Sequence, residues 1–253
     1  MLVPMSILTE IGCGQCPARR YGVCQQLGHQ IGGQDFERQF RQNVRIARWR
    51  AGEAIFNQGE PCGSIFTIQS GWVLTYKVFE DGRRQIIRFA LPGDLIGFEG
   101  DAVSGMAYGA EAITDVRLCG IKHSVFLGLC ARSPQLAMNY ASALSREALA
   151  AWNHIGALGQ QPAQGRIANL LLELHQRITA RGGADGAAVS LPLNQVHIAD
   201  ATGLTPVHVC RTLKRMRQEG LLDFQKGRLV LLDRRRLAEI AQLDLPEPPM
   251  AAA

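Results

Sequence analysis

The chain is predicted to be α+β, with a strand-rich N-terminal half, one long helix and a helical C-terminal third. Three observations carry that prediction. Between residues 41 and 122, short β-branched or alternating runs are separated by turn signals. From Pro134 the hydrophobic period lengthens to three and four. From Asn194, two short helical segments are hinged by Thr202, Gly203 and Leu204 and followed by a hairpin pattern.

The bulk properties agree with two folded bodies. A length of 253 residues suits roughly two domains. Apolar residues make up 47% and charged residues 19%, the balance of a folded chain and not of a disordered one. The net charge of +5 permits a nucleic-acid partner without demanding one. No stretch approaches the ~18 uninterrupted apolar residues of a membrane span. The segment Met1 to Glu10 has neither a basic n-region nor a small-residue cleavage site. No membrane partner and a cytoplasmic location are therefore expected.

Residues 1–33 show no amphipathic period and carry Cys13, Cys16 and Cys24. They read as an arm ordered by whatever the cysteines hold. Residues 34–123 contain predicted strands over 44–49, 64–69, 71–79, 84–90 and 116–121. Turns fall at Asn57–Pro61, Ser70-Gly71, Asp81-Gly82 and Pro92–Asp94. Many short strands at even spacing argue for a roll or a sandwich.

Residues 124–159 form the long-helix region. Leu136, Tyr140, Leu144, Leu149, Trp152, Ile155 and Leu158 recur at helical steps, with no Pro or Gly between Gln135 and His154. A helix of about twenty residues or more is long for a globular core. Its length favours a connector or dimerisation helix, with Leu144, Trp152 and Ile155 at the dimer face. Gln160-Gln161-Pro162 breaks the pattern and places a domain boundary near residue 160. A second helix is predicted from Gln164 to Arg181, with Ile167, Leu170, Leu171, Leu174 and Ile178 on one face, then a flexible loop at 182–186. The C-terminal domain spans 160–245, and the proline-rich tail 246–253 reads as disordered.

Residues 193–218 carry the clearest motif. Asn194 caps a short helix, Gly203 makes the turn, Thr205 caps the next helix and Pro206 opens it. Val209, Leu213 and Met216 form the buried face of that helix. Residues 222–232 read as a two-stranded wing. This is a winged helix-turn-helix, whose second helix presents its N-terminal half to base edges in the major groove. Arg211 suits a bidentate contact to guanine, with Val207 and His208 beside it. Thr205, Lys214, Arg217 and Lys226 are the candidate phosphate contacts. From 211 to 228 there are six basic residues against Glu219 and Asp223. A basic helix is usually just a solvated face, but the frame, caps and wing together favour double-stranded DNA.

Seven cysteines are present, three of them clustered in the arm. With no export signal, such a cluster reads as metal or redox ligands and not as a disulfide framework. Spacing alone leaves an iron–sulfur cluster, a structural zinc and incidental buried thiols level, and a thiol switch needs only two of them. Cys62 is expected to be a surface thiol, Cys130 a helix-face residue and Cys210 a residue of the second helix of the motif.

The chain as a whole resembles the CRP/FNR superfamily of bacterial transcription regulators. The likeness spans roughly residues 11–243 and is carried by Gly93-Asp-Leu-Ile-Gly97 in the strand region and by Gly203-Leu-Thr-Pro-Val-His-Val-Cys-Arg-Thr-Leu213. It implies a jelly roll like that of cyclic-nucleotide-binding domains, a homodimer, a DNA operator and RNA polymerase as partners. Where cyclic-AMP-binding members carry Glu and Arg-Ser, this chain has Phe98, Met106 and Ala107. A cyclic phosphate would lack its charge-assisted partner, so no cyclic nucleotide is expected.

The cysteines resemble the oxygen-sensing FNR branch. That resemblance makes Cys13, Cys16, Cys24 and Cys119 the ligands of a four-iron, four-sulfur cluster, with Arg19 and Arg20 offsetting its charge. It also departs from the branch: Val207 stands where a Glu is usual, and Cys210 where Ser is, which implies a different operator. A haem-based sensor is the alternative within the family, although no Cys-x-x-Cys-His is present. An iron–sulfur enzyme is the alternative outside it. There is no Walker loop, Gly-x-Ser-x-Gly or His-Glu-x-x-His, and Gly12-Cys-Gly14 lacks the third glycine of a dinucleotide fingerprint, so no enzyme is expected.

Overall fold

A computed structural model describes residues 16–20, 43–98, 105–185 and 187–243. Cys13, Cys24 and the tail 246–253 lie outside these residues. The chain divides into two units, Met1–Leu149 and Ala150–Ala253.

In the first unit a short 3-10 helix (Pro17–Arg20) precedes β1 (Val44–Trp49), β2 (Ala54–Phe56), β3 (Ser64–Ser70), β4 (Val73–Val78), β5 (Arg84–Ala90), β6 (Leu95–Ile96), β7 (Gly109–Ala112) and β8 (Val116–Lys122). They pair antiparallel as two sheets, β1-β8-β3-β6 and β2-β7-β4-β5. Period-two alternation turns one face of each sheet inward. Ala47, Trp49, Phe66, Ile68, Ile96, Val116 and Leu118 of the first meet Phe56, Val73, Ala90, Ala110 and Ala112 of the second. Trp49 and Phe66 lie edge to face at 5.9 Å. This is the expected roll. Strands β2, β6 and β7 were not expected, and β4 starts at Val73 and not at Gly71.

The outer face of the first sheet is buried in its turn. Helix α1 (His123–Arg132) follows β8 directly, and α2 (Pro134–Gln160) begins after Ser133. Phe126, Leu129, Leu136 and Tyr140 pack with Ile65 and Ile121 from that face. Phe98 stacks edge-on against Tyr140 at 4.7 Å and His123 at 5.0 Å. Arg88 of β5 bonds Asp94 at 3.2 Å and Glu147 of α2 at 2.8 Å, tying the roll to the long helix. Beyond Tyr140 several large apolar residues of α2 are open: Leu149, Trp152 and Ile155 are 53%, 65% and 63% exposed.

The second unit holds α3 (Ala163–Ala180), β9 (Ala184–Asp185), β10 (Ala188–Ser190), α4 (Gln195–Thr202), α5 (Pro206–Gln218), β11 (Leu222–Gln225), β12 (Arg228–Leu231) and α6 (Arg234–Ala241). All five predicted apolar positions of α3 are buried. The wing belongs to a four-stranded sheet, β11-β12-β10-β9. The segment read as a flexible loop therefore supplies β9, because Ala188 and Val189 of β10 bury themselves against β12 and draw the chain into pairing.

The two units divide inside α2, about ten residues before the expected boundary near 160. Pro162 marks where the helix stops, not where the packing changes. The last turns of α2 already belong to the second unit: Ala157 is buried, and His154 hydrogen-bonds the Ala201 carbonyl in α4. Burial lowers the pKa of His154.

Gly71 sits at the β3–β4 turn with φ +86°, where an added Cβ would overlap the Asp115 carbonyl. Gly71→Ala should cost about 2 kcal/mol or more in thermal or denaturant unfolding, the sum of left-handed strain and steric overlap. Gly63→Ala, with open space at the same bond, should be within about 0.5 kcal/mol of the parent.

Candidate nucleic-acid interface

The motif predicted at 193–218 is built by four local devices. The Asn194 side chain accepts from the His197 amide at 2.8 Å, and the Asn194 amide donates back to the His197 ring at 3.4 Å, a reciprocal cap for α4. Gly203 ends α4 in the left-handed conformation, φ 65°, which turns the chain without Cβ strain. Arg166 of α3 clamps that turn by donating to the carbonyls of Gln161, at 2.8 Å, and Thr202, at 3.3 Å. The Thr205 hydroxyl oxygen then accepts from the His208 amide at 3.2 Å, and Pro206 takes the first position of α5.

Helix α5 buries Val209, Thr212, Leu213 and Met216. Its opposite face carries Val207 (59% exposed), His208, Cys210, Arg211, Lys214 and Arg215, all exposed. Val207, His208 and Arg211, the expected base contacts, therefore share one open surface on the first two turns. Lys214 lies one turn further along. Among the described residues, neither Arg211 nor Lys214 has an ion-pair partner.

Two of the expected phosphate contacts differ in kind from the others. Arg217 bonds Asp223 at 2.9 Å and donates to the Phe224 carbonyl at 2.9 Å, so its guanidinium ties α5 to the wing strand β11. Arg217 thus braces the wing, a role set by tertiary packing that its place in a basic run conceals, while its side chain stays 42% exposed. The Thr205 oxygen accepts one hydrogen bond in the cap, and its hydroxyl proton remains to donate. Lys226 stands at the tip of the wing with φ 48°, followed by Gly227 at φ 73°, a type I′ turn between β11 and β12 that holds the ammonium outward. Sequence reasoning missed α6, whose first turn carries exposed Arg234, Arg235 and Arg236. Three adjacent arginines carry no apolar period by which a helix would be read.

Cys16, Cys62, Cys119 and Cys130 fall in the first unit. Cys119 is 8% exposed. Its neighbours in register are Ile46 on β1 and Thr67 on β3. Val116 and Leu118 point into the roll, so Arg117, Cys119 and Ile121 point out of it. The 3-10 helix packs against β3, the strand beside Cys119, with Ala18 fully buried. Cys16, half-buried, immediately precedes that helix. Two of the four candidate ligands are thus carried by neighbouring segments, and Cys13 and Cys24 lie outside the described residues. Among the described residues no three His, Cys, Asp or Glu side chains gather as a metal site.

Cys62 is not the surface thiol expected: it is partly buried against the roll core, and its thiol donates to the Ser64 carbonyl at 3.3 Å. Cys130 lies on the inward face of α1, where burial raises its pKa. Sequence reasoning also missed Arg117, whose Nε and Nη2 are buried without a hydrogen-bond partner. No helix of the described residues is long and apolar enough to cross a membrane.

Comparison with known proteins accords with this geometry. The model of the cyclic nucleotide-binding domain matches residues 46–133, and that of the Crp-like helix-turn-helix domain matches residues 165–240. The chain is 32% identical over 230 residues to the nitrogen fixation regulation protein FixK of Bradyrhizobium diazoefficiens, covering 90% of this chain and 93% of that protein. It is 30% identical over 191 residues to the anaerobic regulatory protein of Pasteurella multocida, covering 75% and 69%. The solved structure of FixK2 from Bradyrhizobium japonicum superimposes with a TM-score of 0.71 at 31% identity, covering 78% of this chain and 96% of that one. A roll, a long helix and a capped, winged helix-turn-helix, matched over nine-tenths of the chain, make this protein a DNA-binding transcription regulator of the CRP/FNR family.

Proposed function

We propose that the protein is an oxygen- or redox-responsive homodimer that binds operator DNA. Its sensor would be a four-iron, four-sulfur cluster held by Cys13, Cys16, Cys24 and Cys119. One observation carries this reading. Cys119 lies on the outward face of β8, next to the strand against which the segment following Cys16 packs. Thiolates are the soft ligands such a cluster takes, and when bound it supplies an oxygen-labile tie between arm and roll. The name of the Pasteurella relative, an anaerobic regulatory protein, agrees in sense with this role.

The residues around Cys119 give the tie mechanical reach. Ile121 lies two residues on, on the same face, and packs with Phe126, Leu136 and Tyr140. Any change in how β8 sits is transmitted through that packing to α2, because a close-packed core shifts as a unit. Beyond Tyr140, the exposed Leu144, Trp152 and Ile155 offer apolar area for a second copy to cover. Pairing then sets two α5 helices about one DNA turn apart, roughly 34 Å.

A cyclic nucleotide has no place in this reading. Met106 is 3% exposed within the roll core, and Phe98 is held in the aromatic cluster. Neither side chain donates to a phosphate. RNA polymerase and a cytoplasmic setting complete the reading.

Three tests follow from these assignments. Arg211→Ala should lose about 1–3 kcal/mol of discrimination at an operator guanine. Lys214→Ala should weaken all sequences alike and flatten the salt dependence, both read by titrating specific and random duplexes. Equal losses on the two duplexes for both variants would mean a different reading face. In sedimentation, Trp152→Glu should shift the protein towards monomer and weaken operator binding without moving the melting temperature by more than a few degrees. Under anaerobic conditions, Cys119→Ser should lose dimerisation and DNA binding, and Cys62→Ser and Cys130→Ser should keep both. A dimeric, DNA-binding Cys119→Ser protein would sink the four-cysteine assignment.

A further inference from the structure

We propose that Arg117 is an anion-binding positioning residue whose guanidinium donates hydrogen bonds to the cysteine-held cluster at Cys119. The proposal rests on the iron–sulfur reading above and adds a residue to it.

Alternation along β8 sets Arg117 on the same outward face as Cys119, two residues away, a spacing of roughly 7 Å. An arginine side chain spans that distance. Its register partner on β1 is Arg48, so two arginines share one face of the sheet. Like charges placed directly opposite in a sheet repel. The Nε and Nη2 of Arg117 are buried and make no hydrogen bond. Guanidinium N–H groups that are shut away from water and left unbonded are costly, even in a side chain that is only partly buried. An anion seated on this face would accept from both unbonded N–H groups.

The chemistry of that anion follows from its neighbours. The adjacent same-face side chain is a cysteine, and the segment packed on the neighbouring strand is preceded by a second, Cys16. A thiolate-ligated iron–sulfur cluster is negatively charged, and its sulfur atoms accept N–H bonds that tune potential and stability. The guanidinium fork offers two parallel donors to it, and a lysine ammonium offers only a point charge. A free oxyanion shares the same chemistry and is the competing source.

The test uses the parent protein, Arg117→Gln and Arg117→Lys, reconstituted anaerobically with iron and sulfide. All three should assemble the cluster. Under chelator competition, Arg117→Gln should hold iron roughly ten- to a hundredfold less tightly than the parent. A dye-mediated redox titration should show its potential shifted negative, since a positive charge and its donors are gone. Arg117→Lys should restore the potential more than the retention.

The cluster-free proteins give an independent readout. There Arg117→Gln should melt a few degrees above the parent, because the unpaired guanidinium is removed. Arg117→Gln matching the parent in retention and potential would overturn the proposal and leave the cluster standing. A parent that takes up no iron would overturn both. An apo Arg117→Gln that melts lower or does not fold contradicts the claim that the guanidinium lacks a partner. Sulfate raising the melting point of the apo parent alone, with equal cluster retention in parent and Arg117→Gln, would assign the site to a free oxyanion instead.

Discussion

The two faces of β8 are the constraint from which the rest of the sensory unit follows. Val116 and Leu118 must face the roll to fill its core, and strand geometry then leaves Arg117, Cys119 and Ile121 no choice but to face outward. A slip of one residue would bury the thiol among Trp49 and Phe66 and turn Leu118 towards α1. The register is held on both sides, by β1 and by β3, over nearly the full length of the strand. A candidate ligand, a candidate counter-charge and the first contact with the helices are therefore presented together by one strand. The energy that holds them there comes from the apolar residues on its other face, each worth about 1.5–3 kcal/mol when fully buried.

The DNA-reading unit adds helix caps to a core in which Ile167, Leu171, Leu174 and Ile198 are fully buried. Asn194, Gly203 and Thr205 set where α4 ends and α5 starts, and Arg166 clamps the turn from a third helix. The brace from Arg217 to β11 is 42% exposed at both partners, so solvent screening leaves it worth no more than about 1 kcal/mol. Its value is positional, since it holds the wing against the helix whose exposed face carries the candidate base contacts. Pre-organisation of this kind lowers the ordering cost of binding and leaves the phosphate contacts to supply the salt-dependent affinity.

Much of this was legible in the sequence, and the gaps have physical causes. The longer strands announced themselves by alternation, and the motif at 193–218 by its caps, because those signals are local. Strands β2, β6 and β7 were missed: they are two to four residues long, and the Gly-Ala-Glu-Ala of β7 has no intrinsic strand preference. They exist because longer neighbours pair with them. The division inside α2 was missed because a helix can pass through a change of packing without a change of sequence period. The bracing role of Arg217 gave no signal, because charge shows in sequence and a partner across the fold does not. Arg117 gave no signal at all, since a lone arginine in a strand is ordinary until its burial and its lack of partners are seen. Of the four proposed ligands, spacing identified the cluster of three, and only the family likeness picked out Cys119 among the remaining cysteines.

The account stands or falls on what the cysteines hold. The most direct measurement is the metal and acid-labile sulfide content of the protein purified without oxygen, beside its visible absorption spectrum. The account predicts a brown protein with about four iron and four sulfide per chain, bleached by air. A colourless protein carrying stoichiometric zinc, unchanged by air, would contradict it and make the four thiolates a structural site.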